Sequence, residues 1–175
     1  MFMTPPKPNS AERGFSLIEV MITILIIAIG LLGLAGLHAR ALNAETESFA
    51  KGQALGLLQD IAQRFEANQP GAKDAIAAGI NVTNIGTSGY VCAAGARLDT
   101  DLCEWDAALK ATTALPGAVG CVQAIAASSE ILFSIAWRGR DTGFSPSAAQ
   151  GCGSATITSA RRVVSTRIRI PNLGS

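Results

Sequence analysis

The chain has 175 residues, 49% of them hydrophobic, with 14 Lys and Arg against 13 Asp and Glu for a formal charge of +1. So even a balance gives no reason to expect nucleic acid as an obligatory partner. With a long apolar stretch near the N terminus set aside, the remaining length holds one modest domain.

Residues 1–14 carry Lys7, Arg13 and three prolines, Pro5, Pro6 and Pro8, and read as a leader without regular structure. From Gly14 to Leu37 the chain is apolar almost without interruption and keeps one carboxylate, Glu19. As a helix, residues 15–37 extend about 35 Å, enough to cross the hydrocarbon core of a bilayer. Lys7 and Arg13 place the N terminus in the cytoplasm and the rest of the chain in the periplasm, although Arg40 weakens the asymmetry. The apolar run is too long for the core of an ordinary secretory signal, and no Ala-x-Ala-like site precedes a polar start.

A carboxylate inside a membrane helix costs roughly 2.5–3.5 kcal/mol on insertion scales, so Glu19 needs an explanation. One is that it lies close enough to the helix end to reach the interface. The other begins with cleavage between Gly14 and Phe15. That cut would give Phe15 a free ammonium and make Glu19 the fifth residue, and the two charges could neutralise each other within one chain or between neighbours.

Gly14-Phe15-Ser16-Leu17-Ile18-Glu19-Val20, behind a short basic leader, resembles the class III signal of type IV pilins and pseudopilins. The resemblance implies that a prepilin peptidase cuts after Gly14 and methylates Phe15. It also implies that Glu19 guides docking of the subunit into a filament. This segment is short, so it speaks to processing and assembly rather than to the work of the rest of the chain.

Beyond the membrane the helix is expected to continue over residues 38–69, with Leu37, Ala41, Ala44, Phe49, Leu55, Leu58, Ile61, Ala62 and Phe65 recurring at helical spacing and Pro70-Gly71 closing it. Gly30, Gly33 and Gly36, and then Gly52 and Gly56, would let other helices approach closely. Residues 71–100 read as an irregular, glycine-punctuated connection. Asp101-Leu102-Cys103-Glu104 resembles a capping box opening a short helix to about Thr112, which Leu115-Pro116-Gly117 ends. Val119–Ile125 and Ile131–Arg138 predict a hairpin, with Ile131, Phe133, Ile135 and Trp137 on one face. A long loop over 139–153 precedes a last strand, Arg162–Ile170, in which Val164, Thr166, Ile168 and Ile170 face one way.

Four cysteines, Cys92, Cys103, Cys121 and Cys152, all lie beyond the membrane helix, in a compartment that favours disulfides. Three pairings are open; Cys92–Cys103 with Cys121–Cys152 is preferred because the first closes a short local loop. No spacing is Cys-x-x-Cys and the one histidine, His38, lies at the end of the membrane helix, so neither zinc nor any other metal or cofactor is expected. Arg138 and Arg140, and Arg161, Arg162, Arg167 and Arg169, read as solvated strand faces and turns. No pair of carboxylates is spaced for acid–base work, and His38 is poorly placed to serve Ser or Cys, so the chain is not read as an enzyme.

The order of the pieces, with Asp101…Glu104-Trp105, Leu115-Pro116-Gly117, Trp137-Arg138 and Arg161-Arg162-Val163-Val164, is similar to the PilV-type type IV pilus modification proteins. The expected fold is α+β and pilin-like: a long N-terminal helix, its first half transmembrane, packed on a small antiparallel sheet in a domain of residues 70–175. The similarity implies a minor pilin that helps to initiate or modify pilus assembly, with prepilin peptidase, other minor and major pilins and the inner membrane as partners. Display on the fibre at the cell surface would result. Two alternatives stand beside it, a minor pseudopilin of a type II secretion system and a membrane-anchored tip adhesin or DNA-binding module.

Overall fold

The computed structural model describes residues 14–93, 95–125, 128–140 and 151–171. The leader, apart from Gly14, and most of the loop expected over 139–153 lie outside them. The contacts divide the chain into two units, residues 1–42 and 43–175. One helix, α1 (Leu17–Ala67), runs through the boundary.

In the N-terminal unit α1 is exposed along its length, from Leu17 at 85% to Leu37 at 64%. Its best 18-residue window has a mean hydropathy of 2.7 and none of that window is buried within the chain. A Cβ added at Gly30, Gly33 or Gly36 would meet no atom of the rest of the chain. An exposed apolar helix of this length fits anchoring in a membrane.

The second unit is built from the rest of α1, then α2 (Gln69–Ala77), β1 (Asn81–Ile85), α3 (Arg97–Ala111), β2 (Val119–Ala124), β3 (Glu130–Arg138) and β4 (Arg161–Arg169). The strands form one antiparallel sheet in the order β1-β2-β3-β4. The buried stripe of α1 is Ala50, Ala54, Leu58, Ile61, Ala62 and Phe65. Small residues lead the stripe and large ones come later, so the sheet can come close at one end and be filled at the other. Phe49 and Leu55, expected on that stripe, are 63% and 40% exposed; Ala50 and Ala54 take their place. Ile131, Phe133, Ile135 and Trp137 of β3 all join this core, as do Val164, Ile168 and Ile170 from the last strand and the residue beyond it. Phe65 meets Phe133 edge-on at 4.9 Å, an arrangement that contributes roughly 0.5–1.5 kcal/mol beyond its buried area.

α3 lies against β1 and β2. Trp105, fully buried, donates from Nε1 to the Leu57 carbonyl at 3.0 Å and so ties α3 to α1. Gly120 of β2 leaves room for the same indole: a Cβ there would stand 2.7 Å from the Trp105 ring and 2.8 Å from Leu109. Buried Asp106 accepts from the Gly86 amide at 2.7 Å and from Lys110 Nζ at 2.6 Å, holding the turn after β1. Gly86 has φ 88° and its Cα faces the Ala118 carbonyl, so only glycine fits.

Four expectations need correction. Pro70-Gly71 does not end a helix; Pro70 sits in the first turn of α2, where a missing N–H costs nothing, and the Asn68 side chain accepts from Gly71 N at 3.4 Å. Residues 71–100 are not an irregular connection, since they hold most of α2, all of β1 and the start of α3. Asp101 and Glu104 do not cap α3: the helix begins at Arg97, and Asp99 reaches back to the Ala96 amide at 3.2 Å. Arg161 is not on a solvated face; it is 3% exposed and its Nη1 donates to the Cys152 carbonyl at 2.7 Å.

The second face of the sheet carries its own small core, Val119, Cys121 and Ala136 under Cys152 and Ile157. The Cys121–Cys152 disulfide (Cα–Cα 5.8 Å) pins this covering segment, and Arg161 holds its backbone from below. Cys92 and Cys103 form the other disulfide, with Cα atoms 5.4 Å apart, joining the segment before α3 to the helix itself. Gly120→Ala should lower stability by about 1–3 kcal/mol by forcing Trp105 and Leu109 to move. Denaturant unfolding of the full chain in detergent, followed by Trp fluorescence, would show it as a lower midpoint.

Candidate functional site: the start of the long helix

Gly14, Phe15 and Ser16 have no regular secondary structure and precede α1. The Ser16 carbonyl accepts from the amides of Glu19 at 3.0 Å and Val20 at 3.3 Å, so the helix is nucleated three residues after Gly14. The peptide bond between Gly14 and Phe15 therefore lies in exposed, non-helical backbone. Phe15 itself is 83% exposed. Glu19 falls in the first turn of α1, where a carboxylate is favoured by the unsatisfied amides and the helix dipole. The structure thus places the three expected residues in one short stretch: Gly14 and Phe15 in non-helical backbone and Glu19 in the first helical turn. Thr23 donates its hydroxyl to the Val20 carbonyl at 2.8 Å, which satisfies it without a partner outside the helix.

A family model described as "Prokaryotic N-terminal methylation motif" matches residues 9–35. No curated protein and no solved structure matches the chain. The matched residues contain Gly14, Phe15 and Glu19, and they open a long helix that leads into an α+β domain of pilin-like arrangement. Motif, apolar helix and fold together fit a type IV pilin-like or pseudopilin protein. Processing by a prepilin peptidase and assembly with other pilin-type subunits are what such a motif implies, and an apolar helix at this position fits anchoring in a membrane.

Elsewhere the expected residues are dispersed. The arginines do not form a single patch: Arg161 is buried, Arg162 Nε donates to Glu47 at 3.1 Å, and Arg169 donates to Glu130 at 2.9 Å. Arg138, Arg140 and Arg167 are exposed. No group of His, Cys, Asp and Glu among the described residues is arranged to hold a metal. A concavity of about 270 Å³ on the back of the sheet is lined by Gln123, Ser134, Ser165 and Arg167 among others. Ser134 and Ser165 hydrogen-bond to each other at 2.8 Å there. The family matched by the motif is structural rather than enzymatic.

One constellation escaped the sequence reading. Arg64, on the face of α1 expected to meet solvent, donates to Asp60 at 3.0 Å, to Asp101 at 3.4 Å and to Glu104. The hydrogen bond it donates to Glu104, then its hydrogen bond to Asp60 and the Asp60 charge, outweigh burial and hold the guanidinium pKa above the ordinary arginine range. Only the Arg64–Asp60 spacing of four could have been read locally. Asp101 and Glu104 lie 37 and 40 residues away and reach Arg64 through the packing of α3. Arg64→Leu should cost about 1–2 kcal/mol, because it leaves the largely buried Asp101 facing two other carboxylates. Thermal unfolding should show the loss, and Asp101→Asn in the same chain should recover part of it.

Proposed function

We propose that the chain is a minor pilin of a type IV pilus, cut between Gly14 and Phe15, methylated on Phe15, and inserted into the fibre through α1. The observation that carries this reading is the joint placement of an exposed Gly14–Phe15 bond, Glu19 in the first helical turn and an apolar helix that nothing among the described residues of its own unit covers. In the membrane the helix is covered by lipid. In the fibre other helices take over that role, and the Phe15 ammonium of one subunit meets the Glu19 carboxylate of the same chain or a neighbour. Two opposite charges leaving water together cost far less than Glu19 alone. The N terminus lies in the cytoplasm and the globular unit in the periplasm until assembly carries it to the cell surface. There, two disulfides suit a small domain in an oxidising space.

The assignment to the minor, PilV-type subunits rests on the order of motifs from Asp101 to Val164. A minor pseudopilin of a type II secretion system would share the signal, the processing and the helix. Loss of twitching with secretion intact in a deletion strain supports the pilus; the reverse pattern supports the pseudopilus. The tip adhesin or DNA-binding alternative loses ground because half of the arginines it needs are engaged within the fold.

Gly14→Val should block cleavage and leave a membrane form heavier by the leader on denaturing gels. A variant of mature size would contradict the processing step. Glu19→Ala should insert and be cleaved normally but fall at least about tenfold in sheared fibres, since the loss of one partly desolvated charge pair exceeds about 1.4 kcal/mol. Incorporation equal to wild type, measured by immunoblot of the fibre fraction, would remove Glu19 from the assembly account.

A further inference from the structure

We infer that the concavity at the end of β3 binds a small organic anion, a carboxylate or phosphate carried on an apolar body. Three stretches of the globular unit build it: α1 near Glu47 and Phe49, the α3–β2 connection at Thr113 and Pro116, and the end of β3 with the residues just beyond it, Trp137 to Arg140. Two contacts fix these walls against one another. Arg162 Nε donates to Glu47 at 3.1 Å, which joins β4 to α1. The Arg138 amide donates to the Pro116 carbonyl at 3.0 Å, which joins the connection to β3. The space is about 230 Å³, below the roughly 300–1,000 Å³ of drug-sized sites, so it suits a small group.

The lining is rich in donors and short of acceptors. Trp137 is only 3% exposed, yet its indole N–H meets no acceptor among the described residues. The other indole, that of Trp105, donates to the Leu57 carbonyl, as a buried tryptophan ordinarily does. Arg138 and Arg140 are exposed, and neither guanidinium meets a carboxylate among the described residues. The one acid on the lining, Glu47, belongs to the wall: its Oε2 accepts from Arg162 and its Oε1 is buried.

An oxyanion answers this set of donors with charge-assisted hydrogen bonds, the strongest kind available to a guanidinium. The apolar body is called for by the other side of the concavity. Phe49 stays exposed there beside Pro116, and an apolar group attached to the anion would take that surface from water. Apolar walls with a few convergent polar groups are the composition of small-molecule sites. A lipid head group and a soluble metabolite can both present this chemistry, and the test separates them.

The test follows the two indole N–H signals in the NMR spectrum of the ¹⁵N-labelled mature chain in non-ionic detergent, with phenyl phosphate as the probe. The Trp137 signal, identified by its loss in Trp137→Phe, should shift saturably while that of Trp105 stays. Inorganic phosphate, which lacks the apolar body, and phenol, which lacks the charge, should each bind at least about threefold more weakly. Arg140→Gln and Arg138→Gln should each weaken phenyl phosphate by about threefold or more, whereas Arg167→Gln, on β4, should leave it unchanged. Should Arg138→Gln lower the unfolding midpoint, Arg140→Gln, beyond the strand, carries the comparison. Micelles doped with phosphatidic acid supply the lipid arm: a shift of Trp137 by the lipid assigns the site to a head group, and a shift by phenyl phosphate alone assigns it to a soluble anion. No saturable shift of Trp137 with either, phenol or inorganic phosphate binding as well as phenyl phosphate, or Arg167→Gln weakening it as much as Arg140→Gln would each overturn the site. A single chain suffices for the contact, so these results are independent of whether the Gly14–Phe15 bond is cut or a fibre forms.

Discussion

The structure depends on an apolar rod that its own unit does not bury. From Leu17 to Leu37 nearly every large side chain of α1 is exposed, with no strand or other helix among the described residues of the N-terminal unit against it. Left in water such a surface would be strongly unfavourable, at roughly 25 cal/mol for each Å² of apolar area. The surroundings therefore decide the state of this unit, and its apolar surface fits anchoring in a membrane. Glu19 is the one residue in the rod that a membrane does not accept readily, and it sits where a new amino terminus would lie one helical turn away.

The second unit solves a different problem with the same helix. Beyond Asn43 the residues facing the sheet are alanines first and larger side chains later, and they meet a four-stranded sheet with alternating apolar residues in β3. A sheet this small would be marginal with both faces bare, and α1 and α3 cover one of them. Here the second face is covered in part by the segment from Cys152 to Ile157, tethered through Cys121 and braced by the buried Arg161. That arginine is unusual in lying almost wholly inside the domain, and its hydrogen bond to the Cys152 carbonyl shows what it does there.

Much of this was legible in the amino-acid order, and the exceptions have physical causes. β3 declared itself because Ile131, Phe133, Ile135 and Trp137 recur at every second position, as in a strand with one deeply buried face. β1, Asn-Val-Thr-Asn-Ile, is a short edge strand with an irregular register, and only Ile85 is deeply buried, so it carried no pattern to read. α2 was hidden by Pro70-Gly71, which end helices in most contexts but open this one. For α3, several carboxylates competed as caps, and Asp99 rather than Asp101 reaches the free amide. Arg64 looked like a solvated helix residue because its decisive partners come from a helix far along the chain. At the start of α1 the N-terminal methylation motif was legible in the residues themselves, and the structure adds that the bond after Gly14 is exposed and non-helical.

The most direct test of the account is the mass of the N-terminal peptide of the protein isolated from cells with an active prepilin peptidase. The account predicts a chain that starts at Phe15 and is heavier than the unmodified peptide by one methyl group on its amine. A chain that retains Gly14 and the residues before it, with an unmethylated start, would contradict the fibre-subunit reading.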